Sequence, residues 1–130
     1  MDISEKESSY ILLVENDDDL RNVITSSLQK SGFDVCHAND GSVALEILKL
    51  NLQRKYLLIT DLKMPLMNGD ALIAEATSLG FEFEGIIITT GEHYVGINTA
   101  KLIGEGKAKL LQKPFSTKTM LELVNKLCHG

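Results

Sequence analysis

Apolar residues fall along this chain in two alternating patterns. Short, largely apolar runs, such as Tyr10-Ile11-Leu12-Leu13-Val14, Tyr56-Leu57-Leu58-Ile59 and Gly85-Ile86-Ile87-Ile88-Thr89-Thr90, are separated by stretches in which apolar side chains recur at helical spacing. Unbroken runs of this length read as strands covered on both faces, and the recurring spacing reads as amphipathic helix. Lys109-Leu110-Leu111-Gln112 is a further strand, and Phe33 to Ala38 is a less apolar one that belongs at a sheet edge.

The first helix follows Glu15-Asn16-Asp17-Asp18-Asp19, an acidic run suited to capping free N–H groups at a positive dipole end. Its stripe is Leu20, Val23, Ile24 and Leu28, and Ser31-Gly32 ends it. Asp40-Gly41-Ser42 opens the second helix, with Val43, Ala44, Ile47 and Leu48 facing inward. The third runs from about Gly69 to Leu79 on Leu72, Ile73, Ala76 and Leu79. The fourth, from His93 to Ile103, has few good helix formers and is expected to be the least stable element. Ser116 caps the last, whose stripe is Met120, Leu123, Val124 and Leu127. Strands alternating with helices in this way predict an α/β domain with a parallel sheet, spanning residues 10–128. Met1 to Ser9 is polar and reads as a flexible tail.

The chain has 130 residues, enough for one hydrophobic core and too few for two. A net charge of −5 argues against a nucleic-acid surface, which needs a basic stripe. No apolar run approaches the ~20 residues that cross a bilayer, and no basic segment precedes a signal-like core, so no membrane contact is expected. Cys36 and Cys128 lack metal-ligand spacing and read as buried free thiols, which suits a reducing, cytoplasmic setting.

Candidate chemistry gathers at the strand ends. In an open parallel sheet these ends converge on one crevice, and here they carry Glu15-Asn16-Asp17, Asp61, Thr89-Thr90 and Lys113. Acids, a hydroxyl and a lysine in one crevice suit the holding of a cation and a transferable phosphoryl group. Bringing Glu15 and Asp61 together costs roughly 3 kcal/mol at an effective dielectric near 20, and a lysine and a divalent cation offset that. Gly104-Glu105-Gly106-Lys107 has the outline of a phosphate loop, but Lys101 and Ala108 stand where the Walker pattern requires Gly and Ser or Thr.

The set Val14-Glu15-Asn16-Asp17, Asp61 with Met64-Pro65 and Gly69, Ile88-Thr89-Thr90-Gly91-Glu92 and Lys113-Pro114-Phe115 resembles the receiver domain of two-component response regulators, over Tyr10 to about Leu127. The stretch Leu110 to Ser116 is most similar to receivers attached to hybrid histidine kinases. The resemblance implies a flavodoxin-like (βα)5 fold, with a five-stranded parallel sheet in order 2-1-3-4-5 and helices on both faces. It implies Asp61 as the phospho-acceptor, taking its phosphoryl group from a histidine kinase or a histidine phosphotransfer domain. Mg²⁺ or Mn²⁺ would be held by Glu15, Asn16, Asp61 and the backbone carbonyl of Lys63. Thr90 would be the switch hydroxyl, Lys113 would contact the phosphate, and Lys63 and Glu92 would tune the lifetime of the acyl phosphate. A cis Lys113-Pro114 bond and a phosphorylation-dependent dimer are further implications. No catalysis beyond its own phosphorylation and dephosphorylation is implied.

Two positions depart from the pattern. Asn16 stands where most receivers have a second acid that touches the metal, and Leu110 where many have an aromatic residue. Asn16 keeps open a second reading, a receiver-like module that binds its partner without phosphorylation. A flavin carrier is disfavoured, because the acids after strand one would repel a flavin phosphate. An aspartyl-phosphate phosphatase needs a second Asp where Lys63 stands. His37, His93 and His129 lack the helical acidic setting of a phosphohistidine and read as surface or edge residues.

Overall fold

A computed structural model of the chain describes residues 10–92 and 95–129. Tyr10–Val14 (β1), Leu57–Asp61 (β3) and Gly85–Thr90 (β4) form the middle of a parallel sheet and are buried along nearly their whole length. Asp34–Ala38 (β2) and Lys109–Gln112 (β5) form its edges and are mostly exposed or half-buried, so they tolerate the polar residues the inner strands exclude. The order is β2-β1-β3-β4-β5, with every pairing parallel.

Side chains alternate across each strand, and the sheet therefore separates two cores. Leu12, Val14, Leu58, Ile86 and Ile88 face one way, with Leu45 and Leu48 of Gly41–Leu50 (α2) and Leu72 and Ala76 of Gly69–Ser78 (α3). Leu102 and Ile103 of Ile97–Gly104 (α4) pack at the margin of the same layer. Ile11, Leu13, Leu57, Ile59 and Ile87 face the other way, against Ile24 and Leu28 of Asp18–Lys30 (α1) and Met120 and Val124 of Thr117–His129 (α5). No helix among the described residues is long and apolar enough to cross a membrane.

Helix starts follow local capping chemistry. Asp17, Asp40 and Asn68 accept from the backbone N–H groups of Leu20, Val43 and Ala71, and Ser116 accepts from that of Thr119. The exception is α4, which starts at Ile97 rather than His93, with Gly96 as a side-chain-free cap. His93 lies outside the described residues, as does the tail from Met1 to Ser9. Val95 and Gly96 precede the helix; Val95 packs against the core and Gly96 is extended.

Some stripe positions also differ. Val23, Val43 and Leu79 are 52 %, 42 % and 49 % exposed rather than inward-facing. Val23 sits about 100° round the helix from the buried Ile24, Val43 is in the first turn of α2, and Leu79 falls past the last helical residue of α3. Cys36 and Cys128 are free, as expected, but half-buried rather than buried.

Candidate functional site

The sheet delivers its polar residues to one end. Glu15 follows β1 directly, with its backbone N–H donating to the Ala38 carbonyl at 3.0 Å, and only 2 % of it is exposed. Asp61 is the last residue of β3 and is 7 % exposed. Lys113 follows β5, its N–H donating to the Thr90 carbonyl at 2.8 Å. Parallel strands make this convergence unavoidable: residues 98 and 52 positions from Lys113 end beside it. Its Nζ donates to Glu15 Oε1 at 3.1 Å and to Asp61 Oδ2 at 3.0 Å.

The remaining oxygens are held more loosely or by the backbone. Glu15 Oε2 accepts from the Asp17 N–H at 3.0 Å, while Asp61 Oδ1 has a long, 3.4 Å contact with the Lys63 N–H. Thr90 is buried at the end of β4, and its hydroxyl oxygen accepts from the Glu92 N–H at 2.9 Å. Thr89 pairs with Asp61 across the sheet.

Charge balance explains the titration of the site. Burial pushes the Glu15 carboxyl up, helped by nearby Asp61, and its bonds to the Asp17 amide and Lys113 only partly oppose this. Burial alone would lower the Lys113 ammonium, but its bonds to Asp61 and Glu15 outweigh that and raise it. Two acids share one base, so the lysine keeps its proton and the glutamate resists losing its own.

The loop after Asp61 is shaped by close approach. The Gly69 N–H donates to the Leu62 carbonyl at 2.8 Å, and a Cβ at Gly69 would lie 2.5 Å from the Asp61 carbonyl oxygen. Only glycine lets the loop fold back onto the strand that ends in Asp61. Between Pro65 and Asn68 the chain passes through Leu66 at φ 70, with 89 % of that side chain exposed.

Sequence reasoning singled out Asn16, Asp17, Lys63 and Glu92, and each has a definite place. Asn16 is exposed, and its amide donates weakly to the Asn39 carbonyl at 3.5 Å. Asp17 spends its carboxylate as the cap of α1. Lys63 Nζ lies 3.8 Å from Glu92 Oε2 at the mouth of the site, with both side chains well exposed. A cleft of about 390 Å³ opens beside them, walled by Leu62, Met64, Asn68, Asp70, Val95 and Gly96.

One participant escaped the sequence reading. Arg21 donates to the Glu15 backbone carbonyl at 2.8 Å and to Asp18 at 2.6 Å, which fixes the turn out of β1. The available signal was its spacing three residues after Asp18 on the first helix.

Residues 11–125 match the family model of the response regulator receiver domain. The response regulator receiver protein CpdR of Brucella abortus is 33 % identical over 117 residues, covering 90 % of this chain and 94 % of that protein. Among solved structures, the receiver domain of the hybrid histidine kinase CckA superposes with a TM-score of 0.75 at 29 % identity, covering 92 % of this chain and 99 % of that one. The chemotaxis protein CheY4 of Vibrio cholerae gives a TM-score of 0.75 at 25 % identity, covering 92 % and 98 % of the two chains.

The raised Glu15 carboxyl has a consequence for stability. Folded Glu15 holds its proton more tightly than unfolded chain does, so ionising it costs stability. That cost is absent well below the ordinary value of 4.5 and grows as pH rises through it toward the higher folded value. Glu15→Gln, neutral at every pH, should therefore raise Tm at neutral pH and lose that advantage as pH falls below about 4.5. Thermal melts across the acid range check this, and a gain independent of pH would contradict it.

Proposed function

Because the chain belongs to the response regulator receiver domain family, we propose that Asp61 is its phospho-acceptor and that the chain switches a partner surface when Asp61 is modified. The observation that carries this reading is Lys113 Nζ, which lies 3.0 Å from Asp61 Oδ2 and 3.1 Å from Glu15 Oε1. Lys113 engages Oδ2, so Oδ1, which has only the long contact with the Lys63 N–H, is the oxygen that attacks phosphorus. The donor is a phosphohistidine of a histidine kinase or phosphotransfer domain. An O–P bond forms at Asp61 as the P–N bond breaks, and the electron pair returns to the imidazole. Lys113 balances charge on the transferring oxygens, and Thr90 turns from the Glu92 amide to hydrogen-bond the new group. The only reaction assigned to the chain is this gain and loss of its own phosphoryl group.

The residues present fit a hard divalent cation such as Mg²⁺. Every donor is oxygen: the carboxylates of Glu15 and Asp61, the backbone carbonyl of Lys63 and the Asn16 amide. Among the described residues, however, no three acids, histidines or cysteines converge. When bound, the ion supplies positive charge against the oxygens of the group being transferred. A leucine, a proline and a phenylalanine, Leu20, Pro114 and Phe115, line an apolar pocket of about 360 Å³ with Lys113 and offer the donor a place to dock.

The neutral amide at Asn16 is the specific observation behind a second reading, in which the module binds its partner without phosphorylation. The two separate cleanly. Incubation with acetyl phosphate and Mg²⁺, read by intact mass, should label the wild type and leave Asp61→Asn unlabelled. Undiminished labelling of Asp61→Asn moves the site elsewhere, and an unlabelled wild type favours the second reading.

Asn16 itself should weaken metal binding, since it supplies a neutral oxygen where an anion would draw the ion more strongly. Asn16→Asp is expected to bind Mg²⁺ about tenfold more tightly in titration. Equal affinities would make the substitution silent.

Lys63 and Glu92 act on lifetime. An exposed pair 3.8 Å apart adds little stability, but at the site mouth it hinders the water that hydrolyses the acyl phosphate. The Lys63→Ala, Glu92→Ala double variant should lose its label faster after donor removal, and an unchanged decay would remove this role.

A further inference from the structure

The first turn of α4 is capped from another helix. Gly96 brings no side chain, and Asp70, in the first turn of α3, takes its place. Asp70 Oδ1 accepts from the Thr99 N–H at 2.6 Å and from the Thr99 hydroxyl at 2.7 Å, and Thr99 is completely buried. A local cap accepts from an amide of the first turn, and Asp70 accepts from that same kind of amide across a tertiary contact. The fit is close enough that a Cβ at Gly96 would lie 2.7 Å from the Asp70 carboxylate.

This clasp touches the acceptor from two sides. On one, Asp70 follows Gly69, which packs on the Asp61 carbonyl and bonds to that of Leu62. On the other, the Thr90 hydroxyl holds the Glu92 N–H at 2.9 Å. To reach a group on Asp61, Thr90 must release Glu92, which stands four residues before Gly96, the cap position held against the Asp70 carboxylate.

We propose that Asp70 is a positioning residue, a cap lent by α3 that holds α4 in its unmodified place and yields when Asp61 is phosphorylated. The proposal rests on the acceptor role of Asp61. A contact made in only one of two states raises the cost of reaching the other by its own strength. Short hydrogen bonds to a carboxylate are the strong kind. Asp70 thus sets how far the equilibrium leans toward the unmodified form, without touching the transferred group.

The test compares the full chain with Asp70→Ala and with Thr99→Val, which removes the hydroxyl bond and keeps the volume. Hydrogen exchange of the α4 amides is followed in the unmodified protein, and affinity for beryllofluoride with Mg²⁺, an acyl-phosphate mimic, is measured by titration. In Asp70→Ala, exchange in α4 should speed up roughly tenfold while α1 stays unchanged. Beryllofluoride should bind about fivefold or more tightly to Asp70→Ala, and Thr99→Val should shift the same way by less. Faster exchange with unchanged or weaker beryllofluoride binding would reduce Asp70 to a structural cap and overturn the proposal, as would unchanged exchange. A wild type that neither binds beryllofluoride nor takes label fails on the acceptor role, and the latch falls with it. Should Asp70→Ala not fold, Thr99→Val decides alone.

Discussion

Two carboxylates and one ammonium share the polar end of this sheet, and the arrangement of the chain serves to bring them there. Glu15 and Asp61 are among the few polar side chains that are buried, and burial is costly for an ion unless a counter-charge arrives. Lys113 arrives from the far end of the sequence, on the opposite edge strand from the one beside β1. It can do so only because every crossover returns the chain to the same end of the sheet, so all strands finish together. Its compensation is partial, because burial and Asp61 still hold the Glu15 carboxyl above its usual value. A site left short of positive charge is suited to gaining it, which accords with the proposed cation.

Much of this was legible in the sequence because its causes are local. Leu57 to Ile59 and Ile86 to Ile88 are buried on both faces, so an unbroken apolar run announces a central strand, and the run ends where the polar crevice begins. Asp17, Asp40 and Asn68 announce helix starts because each caps its own helix. The start of α4 was misplaced for the converse reason: its cap is Asp70, on another helix, and no window around residues 93–97 contains it. Val23 and Leu79 looked like core because spacing fixes an angle round a helix but not where the neighbouring layer stops. The distance between Glu15 and Lys113, 98 residues apart, depends on tertiary closure and was beyond any local pattern.

Close backbone approach sets the other constraint on the site. Gly69 lets the loop after Asp61 lie against the strand it left, and the same loop carries Leu66 in the left-handed region with its side chain almost wholly exposed. A branched apolar residue there accepts conformational strain and contact with water together. The loop is thus tightly determined at its base by Gly69 and presents an apolar tip at its apex. Its closely packed part is next to Asp61 and its apolar part faces outward.

The division of the interior into two layers has a separate consequence, for how such a molecule can change over time. Side chains of α1 and α5 mesh with one face of the sheet, those of α2, α3 and α4 with the other, and the backbone of the sheet stands between them. Substitutions on opposite sides share no partners, so their effects on stability should add rather than compound. The face that includes α1, next to the Leu20–Phe115 pocket, and the face that includes α4 can therefore drift as separate ledgers of sequence. Either side can be rewritten while the other is kept, with the sheet as the party wall.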